Sequence, residues 1–365
     1  MQQKVVRLFF VFSGREGRQI SGVPVKTTVR ARILPTHTTA LFDAAVARAA
    51  ALLRAGQLVA LPTETVYGLA ANARDARAVA KIFAVKSRAP RNPIIVHVAG
   101  VEMARRCVKT WPSQADQLAR AFWPGPLTLV LRRSGEIPDI VTAGGPTVGV
   151  RWPSHPFAQA VIRACGFPLA APSANLSTRI SPTTARHVLK DLGDRIDLIV
   201  DGGPSQVGLE STVLDLTVRP ARVLRPGIIH AESLSAVIGK VRSAQRATRG
   251  AAPVRSPGRL PKHYSPKAPL KILSWIDDAD LRRQLSALGC PPAAVHVIAH
   301  ARVPSAEGLG CVRLIPRGPE AYARLIYAEL HRCDDEGAGL IVVEAPPESA
   351  EWQAINDRLR RATSR

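Results

Sequence analysis

Leu58-Val59-Ala60-Leu61-Pro62-Thr63-Glu64-Thr65-Val66-Tyr67-Gly68-Leu69, residues 58–69, is a short apolar strand stopped by a proline and followed at once by a polar loop. Pro62 lacks the N–H that a continuing ladder needs, so the strand at 58–61 ends there. Four apolar residues without polar alternation suit a strand covered on both faces, as in sheets with helices packed against them. Loops at strand ends are where α/β folds gather ligands, and this one offers two threonine hydroxyls, a carboxylate and a phenol. The same residue types also serve as ordinary helix caps, so this loop has to be read with its neighbours.

Working outward, residues 40–55 form an Ala-rich amphipathic helix with Asp43, Arg48 and Arg54 on its wet side and Gly56 as its stop. The pattern predicts helices at about 75–87, 113–121 and 155–165. It places strands at 94–98, 127–132, 147–151, 168–171, 196–200, 211–216 and 222–225. Unbroken apolar strands alternating with helices indicate an α/β domain. Beyond it, strands at 270–273, 295–298 and 340–343 alternate with helices at about 277–288, 318–333 and 350–362, which predicts a second, smaller α/β domain.

Two segments differ in texture. Residues 1–36 carry seven cations against the single acid Glu16, and their apolar run at 8–12 is too short for a secretory core; they read as a poorly ordered basic extension. Residues 239–271 hold nine cations, no acid and five prolines, the composition of an extended linker. The whole chain of 365 residues has Lys plus Arg 50 against Asp plus Glu 28, a net charge of +22 that favours anionic partners. Apolar residues at 46% exclude a disordered chain. No stretch approaches the roughly 18 uncharged apolar residues of a membrane span. Five cysteines without a Cys-x-x-Cys pair argue against a disulfide framework or zinc cage and point to a reducing cytoplasm.

The sequence has no Gly-x-Gly-x-x-Gly, Walker loop, His-Glu-x-x-His or Gly-x-Ser-x-Gly, which argues against a conventional dinucleotide oxidoreductase, P-loop kinase, zincin or serine hydrolase but leaves nucleotide binding by other means open. Three other polar stretches accompany the first. Lys86-Ser87-Arg88-Ala89-Pro90-Arg91-Asn92-Pro93 crowds three cations into six residues. Like charges held together repel unless an anion lies among them, and arginine offers phosphate a planar, bidentate partner. Pro172-Ser173-Ala174-Asn175-Leu176-Ser177-Thr178-Arg179-Ile180-Ser181-Pro182 supplies small residues and hydroxyls that let a ligand approach the backbone. Thr147–Arg151 and Gly208–Thr212, with Arg225-Pro226-Gly227, complete the set.

Together these motifs resemble one family. Lys86-x-Arg88 with Ser173-x-Asn175, framed by Pro-Thr-Glu-Thr-Val-Tyr-Gly-Leu, Asn92–His97, Trp123–Thr128, Ala171–Asn175 and Glu210–Val213, is similar to the YrdC-type threonylcarbamoyl-AMP synthases over residues 38–230. Ser256-Pro257-Gly258 and Lys262-His263-Tyr264-Ser265-Pro266 resemble the linker of that family's long form. The resemblance implies a YrdC-like twisted, mostly covered α/β sheet over 37–238, a linker or lid over 239–269, and a Rossmann-like α/β domain over 270–365. It implies condensation of L-threonine, bicarbonate (or CO2) and ATP to threonylcarbamoyl-AMP and pyrophosphate. It further implies use of the product by a separate threonylcarbamoyl transferase complex on tRNA, and contact with tRNA or double-stranded RNA.

Residue by residue, the resemblance places Thr65, His97, Arg151, Ala171 and Ser211 around threonine. It places Arg88, Asn92, Thr147, Ser173, Ser181, Arg225 and Tyr264 around ATP, and gives Lys86, Arg88, Ser173 and Asn175 the catalytic roles. Mg2+ is expected with ATP rather than in a protein cage, since no carboxylate cluster marks one. A mobile Tyr264 would close over a labile intermediate. Two rivals remain. One is a non-catalytic RNA-binding module, supported by charge but opposed by 5% aromatics and no stacking motif. The other is a carbamoyltransferase, which would need companion zinc-binding and acylphosphatase-like domains.

Overall fold

The computed structural model describes residues 30–243 and 264–363. Among the described residues, the larger domain has eleven strands: β1 (Arg32–Pro35), β2 (Val59–Leu61), β3 (Gly68–Asn72), β4 (Val96–His97), β5 (Leu127–Arg132), β6 (Thr147–Arg151), β7 (Leu169–Ala170), β8 (Leu198–Asp201), β9 (Thr212–Asp215), β10 (Ala221–Arg225) and β11 (Val241–Arg242). Its helices are α1 (Thr39–Arg54), α2 (Ala76–Lys86), α3 (Val101–Arg106), α4 (Ser113–Phe122), α5 (Asp139–Thr142), α6 (Pro156–Cys165), α7 (Ala185–Leu192) and α8 (Ala231–Ile238). The strands form one mixed sheet in the order β1-β8-β2-β3-β7-β4-β6-β5-β9-β10-β11.

The unbroken apolar strands are covered on both faces, as expected. Val59 and Leu61 of β2 face one core with α1 and α6, which includes Ala49, Leu53, Phe157 and Val161. Ala60, between them, faces the opposite core with Val79 and Ile82 of α2. Local chemistry sets the helix ends. The Thr38 hydroxyl accepts from Leu41 N at the start of α1, and the Asp75 carboxylate accepts from Arg77 N and Ala78 N at the start of α2.

The expected helices and strands are present, with ends moved by up to three residues. Two differences stand out. The poorly ordered extension expected over 1–36 does not reach residue 36: Arg32–Pro35 forms β1, parallel to β8, because Ile33 and Leu34 supply strand character within a basic stretch. Residues 1–29, and most of the expected linker with Ser256–Gly258 and Lys262–His263, lie outside the described residues. Gly68–Asn72, of which Gly68 and Leu69 belong to the quoted loop and the rest to no expected element, is the interior strand β3. Its small residues have low strand propensity, but pairing with β2 (Val59↔Ala70, Leu61↔Gly68) overrides that preference.

The smaller domain has β12 (Leu270–Leu273), β13 (Val295–Ala299), β14 (Cys311–Leu314) and β15 (Leu340–Glu344), with α9 (Asp278–Ala287), α10 (Pro319–Asp335) and α11 (Gln353–Thr363). Its sheet, β12-β15-β13-β14, is wholly parallel, which fits the Rossmann-like α/β expectation. One face of this sheet does not end at the domain's own boundary. Ile298, Ile341 and Val343 share a core with Tyr322 and Ile326 of α10, Leu359 of α11, and Val66, Ile180 and Leu209 of the larger domain. The approach is close: a Cβ on Gly208 would lie 2.5 Å from the backbone of Ala323 and Arg324.

Candidate active site

The strand ends and loops of the larger domain surround a cavity lined by Thr65, Arg88, His97, Arg151, Ala171, Ser173, Glu210, Ser211, Arg225 and Tyr264, among others. Nine of these were expected from the sequence, and they come from segments separated by up to two hundred positions.

The first wall is built on Arg151 at the end of β6. Its Nε donates to Gly125 O at 3.2 Å, its Nη1 to Thr65 Oγ1 at 2.9 Å, and its Nη2 lies 2.7 Å from Glu64 Oε1. Burial alone would raise the Glu64 carboxyl, but the Arg151 charge and hydrogen bond hold it below the usual carboxylate range. The Thr63 hydroxyl donates to Val66 O at 2.6 Å and lies 2.9 Å from Thr65 Oγ1. Since each hydroxyl has one proton, Thr65 donates to Thr63, accepts from Arg151, and keeps a lone pair for a ligand N–H. His97, on β4, is nearly buried and neither ring nitrogen has a hydrogen-bond partner. Burial, aided by the Arg151 charge, pushes its pKa well below the ordinary histidine value, so the ring is neutral at pH 7. It offers the cavity one donor and one acceptor.

The second wall is cationic. Ser87 ends α2 in the left-handed conformation (φ 51°), and the chain reverses so that Lys86 and Arg88 part company. Arg88 turns to the cavity, braced by Nε to Asn92 O at 3.1 Å and Nη2 to Pro93 O at 2.7 Å. Burial, with Arg225 nearby, lowers it to about 10, still protonated at neutral pH. Arg225 donates Nε to Ser211 O and Nη2 to Ser211 Oγ, both at 3.1 Å, and Ser211 Oγ also pairs with Thr128 Oγ1 at 2.8 Å. Two buried guanidiniums and a serine hydroxyl on one wall of the cavity suit an anionic ligand.

Lys86 is placed differently from the sequence expectation. Its ammonium is 1% exposed, does not line the cavity, and donates to Ser173 O at 2.5 Å, to Asn175 O, and to Asn175 Oδ1 at 3.5 Å. It thus holds the 173–175 loop from behind. Asn175 is also turned inward, its Nδ2 donating to Leu176 O and Arg179 O at 2.8 and 2.9 Å. Asn92 contributes its carbonyl to Arg88, and Ser181 donates to Glu210 Oε1 at 2.6 Å; neither is among the lining residues. Thr147 begins β6 at the end opposite Arg151, about 13 Å away along the strand, and does not line the cavity either.

Sequence reasoning missed the acids that organise the arginines. Glu64 and Glu210 sit inside quoted motifs, but nothing local showed that each pairs with an arginine 87 or 148 positions away. It also missed Arg358 and Tyr327, which reach this site from the smaller domain: Arg358 Nε donates to Glu210 Oε2 at 2.7 Å and Tyr327 OH at 3.3 Å.

Comparison with known proteins identifies the family. Residues 51–227 match the Sua5/YciO/YrdC family model, described as telomere recombination, and residues 229–364 match a model described as the threonylcarbamoyl-AMP synthase C-terminal domain. The chain is 40% identical over 321 residues to the threonylcarbamoyl-AMP synthase of Pyrococcus abyssi, covering 86% of this chain and 93% of that one. It is 40% identical over 324 residues to the Bacillus subtilis protein of the same name, covering 88% and 93%. A crystal structure of P. abyssi Sua5 complexed with L-threonine aligns with TM-score 0.82 and 36% identity over 91% of this chain and 96% of that one. With both domains matched and in the same order, the chain belongs to the Sua5/YrdC family of threonylcarbamoyl-AMP synthases, in its long form with a C-terminal domain.

Proposed function

We propose that the chain condenses L-threonine, bicarbonate (or CO2) and ATP into L-threonylcarbamoyladenylate and pyrophosphate. The observation that carries this reading is the juxtaposition, in one cavity, of the Thr65–His97–Arg151 niche with the Arg88–Arg225 wall. Threonine lies in the niche, with its polar groups on Arg151, Thr65 and the neutral His97, and Ala171 and Ser211 beside it. The triphosphate lies on Arg88 and Arg225 with Ser173. The unprotonated threonine amine adds to CO2 and gives up one proton to solvent as the carbamate forms; a carbamate oxygen then attacks the α-phosphorus, and the bond between the α- and β-phosphates breaks as pyrophosphate leaves. No protein nucleophile is needed; the chain contributes alignment and charge neutralisation.

His97 is too weak a base to take the amine proton and acts by hydrogen bonding. Glu64 and Glu210 are the acids nearest the cavity, and each is committed to an arginine, so the residues present do not fit a protein-held divalent ion. Mg2+ would enter on the ATP phosphates. Tyr264, 1% exposed with its ring on the cavity, roofs the site and keeps water from the mixed anhydride. Such a product suits hand-over to a separate transferase acting on tRNA, in the cytoplasm. No helix among the described residues is long and apolar enough to cross a membrane.

The test is pyrophosphate release by the purified chain. Release that requires both threonine and bicarbonate is expected, and release independent of threonine would overturn the assignment.

A further inference from the structure

The cavity wall contains one buried anion, Glu210, beside the arginine expected to carry phosphate. Its Oε1 accepts from Ser181 Oγ at 2.6 Å, and its Oε2 accepts from Arg358 Nε at 2.7 Å and Tyr327 OH at 3.3 Å. Arg358, on α11 of the smaller domain, is 1% exposed, and Glu210 is 7% exposed. The arginine is fully engaged: Nη1 meets Asp357 Oδ2 at 2.8 Å and Nη2 donates to Pro226 O at 3.0 Å, the residue after Arg225. Its guanidinium carbon also lies 5.2 Å from the centre of the Tyr264 ring, which stacks on Tyr327 at 5.9 Å.

We propose that Arg358 is a positioning residue for the nucleotide half of the site: by neutralising Glu210 from the second domain, it leaves Arg225 on Ser211 and facing the phosphates. The proposal rests on the synthase reading for the identity of the anion. Both arginines act on Glu210, bringing its carboxyl down to about 2 against the opposing effect of burial. An anion this deep must have a cationic partner. Without Arg358, the remaining neighbour is Arg225, which would turn from Ser211 to Glu210 and give up its place on the cavity wall. The smaller domain is thus a working part of the active site through one side chain.

The experiment measures equilibrium binding of a non-hydrolysable ATP analogue and of L-threonine to the full-length chain, with Arg358→Met, Arg358→Lys, Glu210→Gln and the Arg358→Met/Glu210→Gln double variant. Arg358→Met should weaken the analogue at least tenfold and threonine no more than twofold to threefold. The double variant, which lacks the ion pair altogether, should return to within threefold of the wild type for the analogue. A role confined to holding the domains together predicts the opposite: no rescue in the double variant, or equal losses for both ligands, and either result overturns the proposal. If Arg358→Met does not fold, Arg358→Lys and the charge-free double variant decide: both should bind the analogue within threefold of wild type, and a tenfold loss in either refutes the role. Wild-type chain that binds the analogue but releases no pyrophosphate defeats the synthase reading while the affinities still test Arg358; wild-type chain that binds no analogue defeats both.

Discussion

Replacing Lys86 by methionine separates two roles that the sequence alone cannot distinguish. A phosphate ligand would be missed by ATP and by nothing else. The structure assigns the ammonium to Ser173 O, Asn175 O and Asn175 Oδ1, behind the loop. Methionine keeps the length of the side chain but leaves these three acceptors without their donor. Each buried group left unmade costs about 1–3 kcal/mol. Relief from burying an ammonium, whose pKa is driven well below its ordinary value by burial and by Arg88, offsets part of that. A net loss of about 2–4 kcal/mol remains, which for a chain of this size is a fall in melting temperature of about 3–5 °C. Pyrophosphate release should show kcat reduced at least tenfold, because Ser173 is no longer held, with the KM for ATP changed less than threefold. Unchanged melting together with a tenfold or greater rise in the ATP KM would refute the reasoning and place the Lys86 charge on the nucleotide.

Arg88→Met should lower kcat/KM for ATP by about 10–150-fold, the loss of one charge-assisted bond of about 1.5–3 kcal/mol, with the threonine KM little altered in steady-state assays. His97→Gln should raise the threonine KM more than the ATP KM, and the wild-type rate should show no His97 inflection near pH 6.5, since the ring is already neutral there; an inflection that vanishes in the variant would contradict this. The stacked pair His187 and His331 at the domain junction, 3.9 Å apart, should make the protein acid-sensitive. Burial lowers His331 to about 3 and His187 to about 4, so the unfolded chain takes up protons below about pH 6.5 that the folded chain refuses. Stability is therefore full above that pH and declines as pH falls, by about 1.4 kcal/mol per unit for each histidine. Urea midpoints at pH 7.5 and 5 should show a smaller drop in His331→Asn than in wild type, and equal drops would count against the assignment.

Much of the architecture could be read from the sequence because its elements carry strong local patterns. Leu127–Arg132 and Thr147–Arg151 fall where their apolar runs put them, and α6 begins at the proline and ends at the glycine that bound it. β3 was missed because Gly-Leu-Ala-Ala-Asn has no strand signature of its own; its partners on both sides make it a strand. The site divides along the same line. Cavity residues were legible as motifs, since each loop carries its polar groups in a short stretch. Which way a side chain points was not legible: Lys86 and Arg88 are two residues apart, and only the left-handed Ser87 between them sends one behind the loop and the other into the cavity. Nor could Arg358 be picked out among fifty basic residues, because its partner lies in another domain.

The core that Val66, Ile180 and Leu209 share with α10 and α11 bears on how this chain can be cut. A fragment stopped near residue 243 would keep every motif of the larger domain yet expose these three side chains, strand the Glu210 carboxylate without its arginine, and leave Gly208 facing open solvent. Sticky aggregates and a site with the wrong charge are the expected yield of such a clone, so biochemical dissection of this protein by deletion would mistake a damaged surface for a dispensable half.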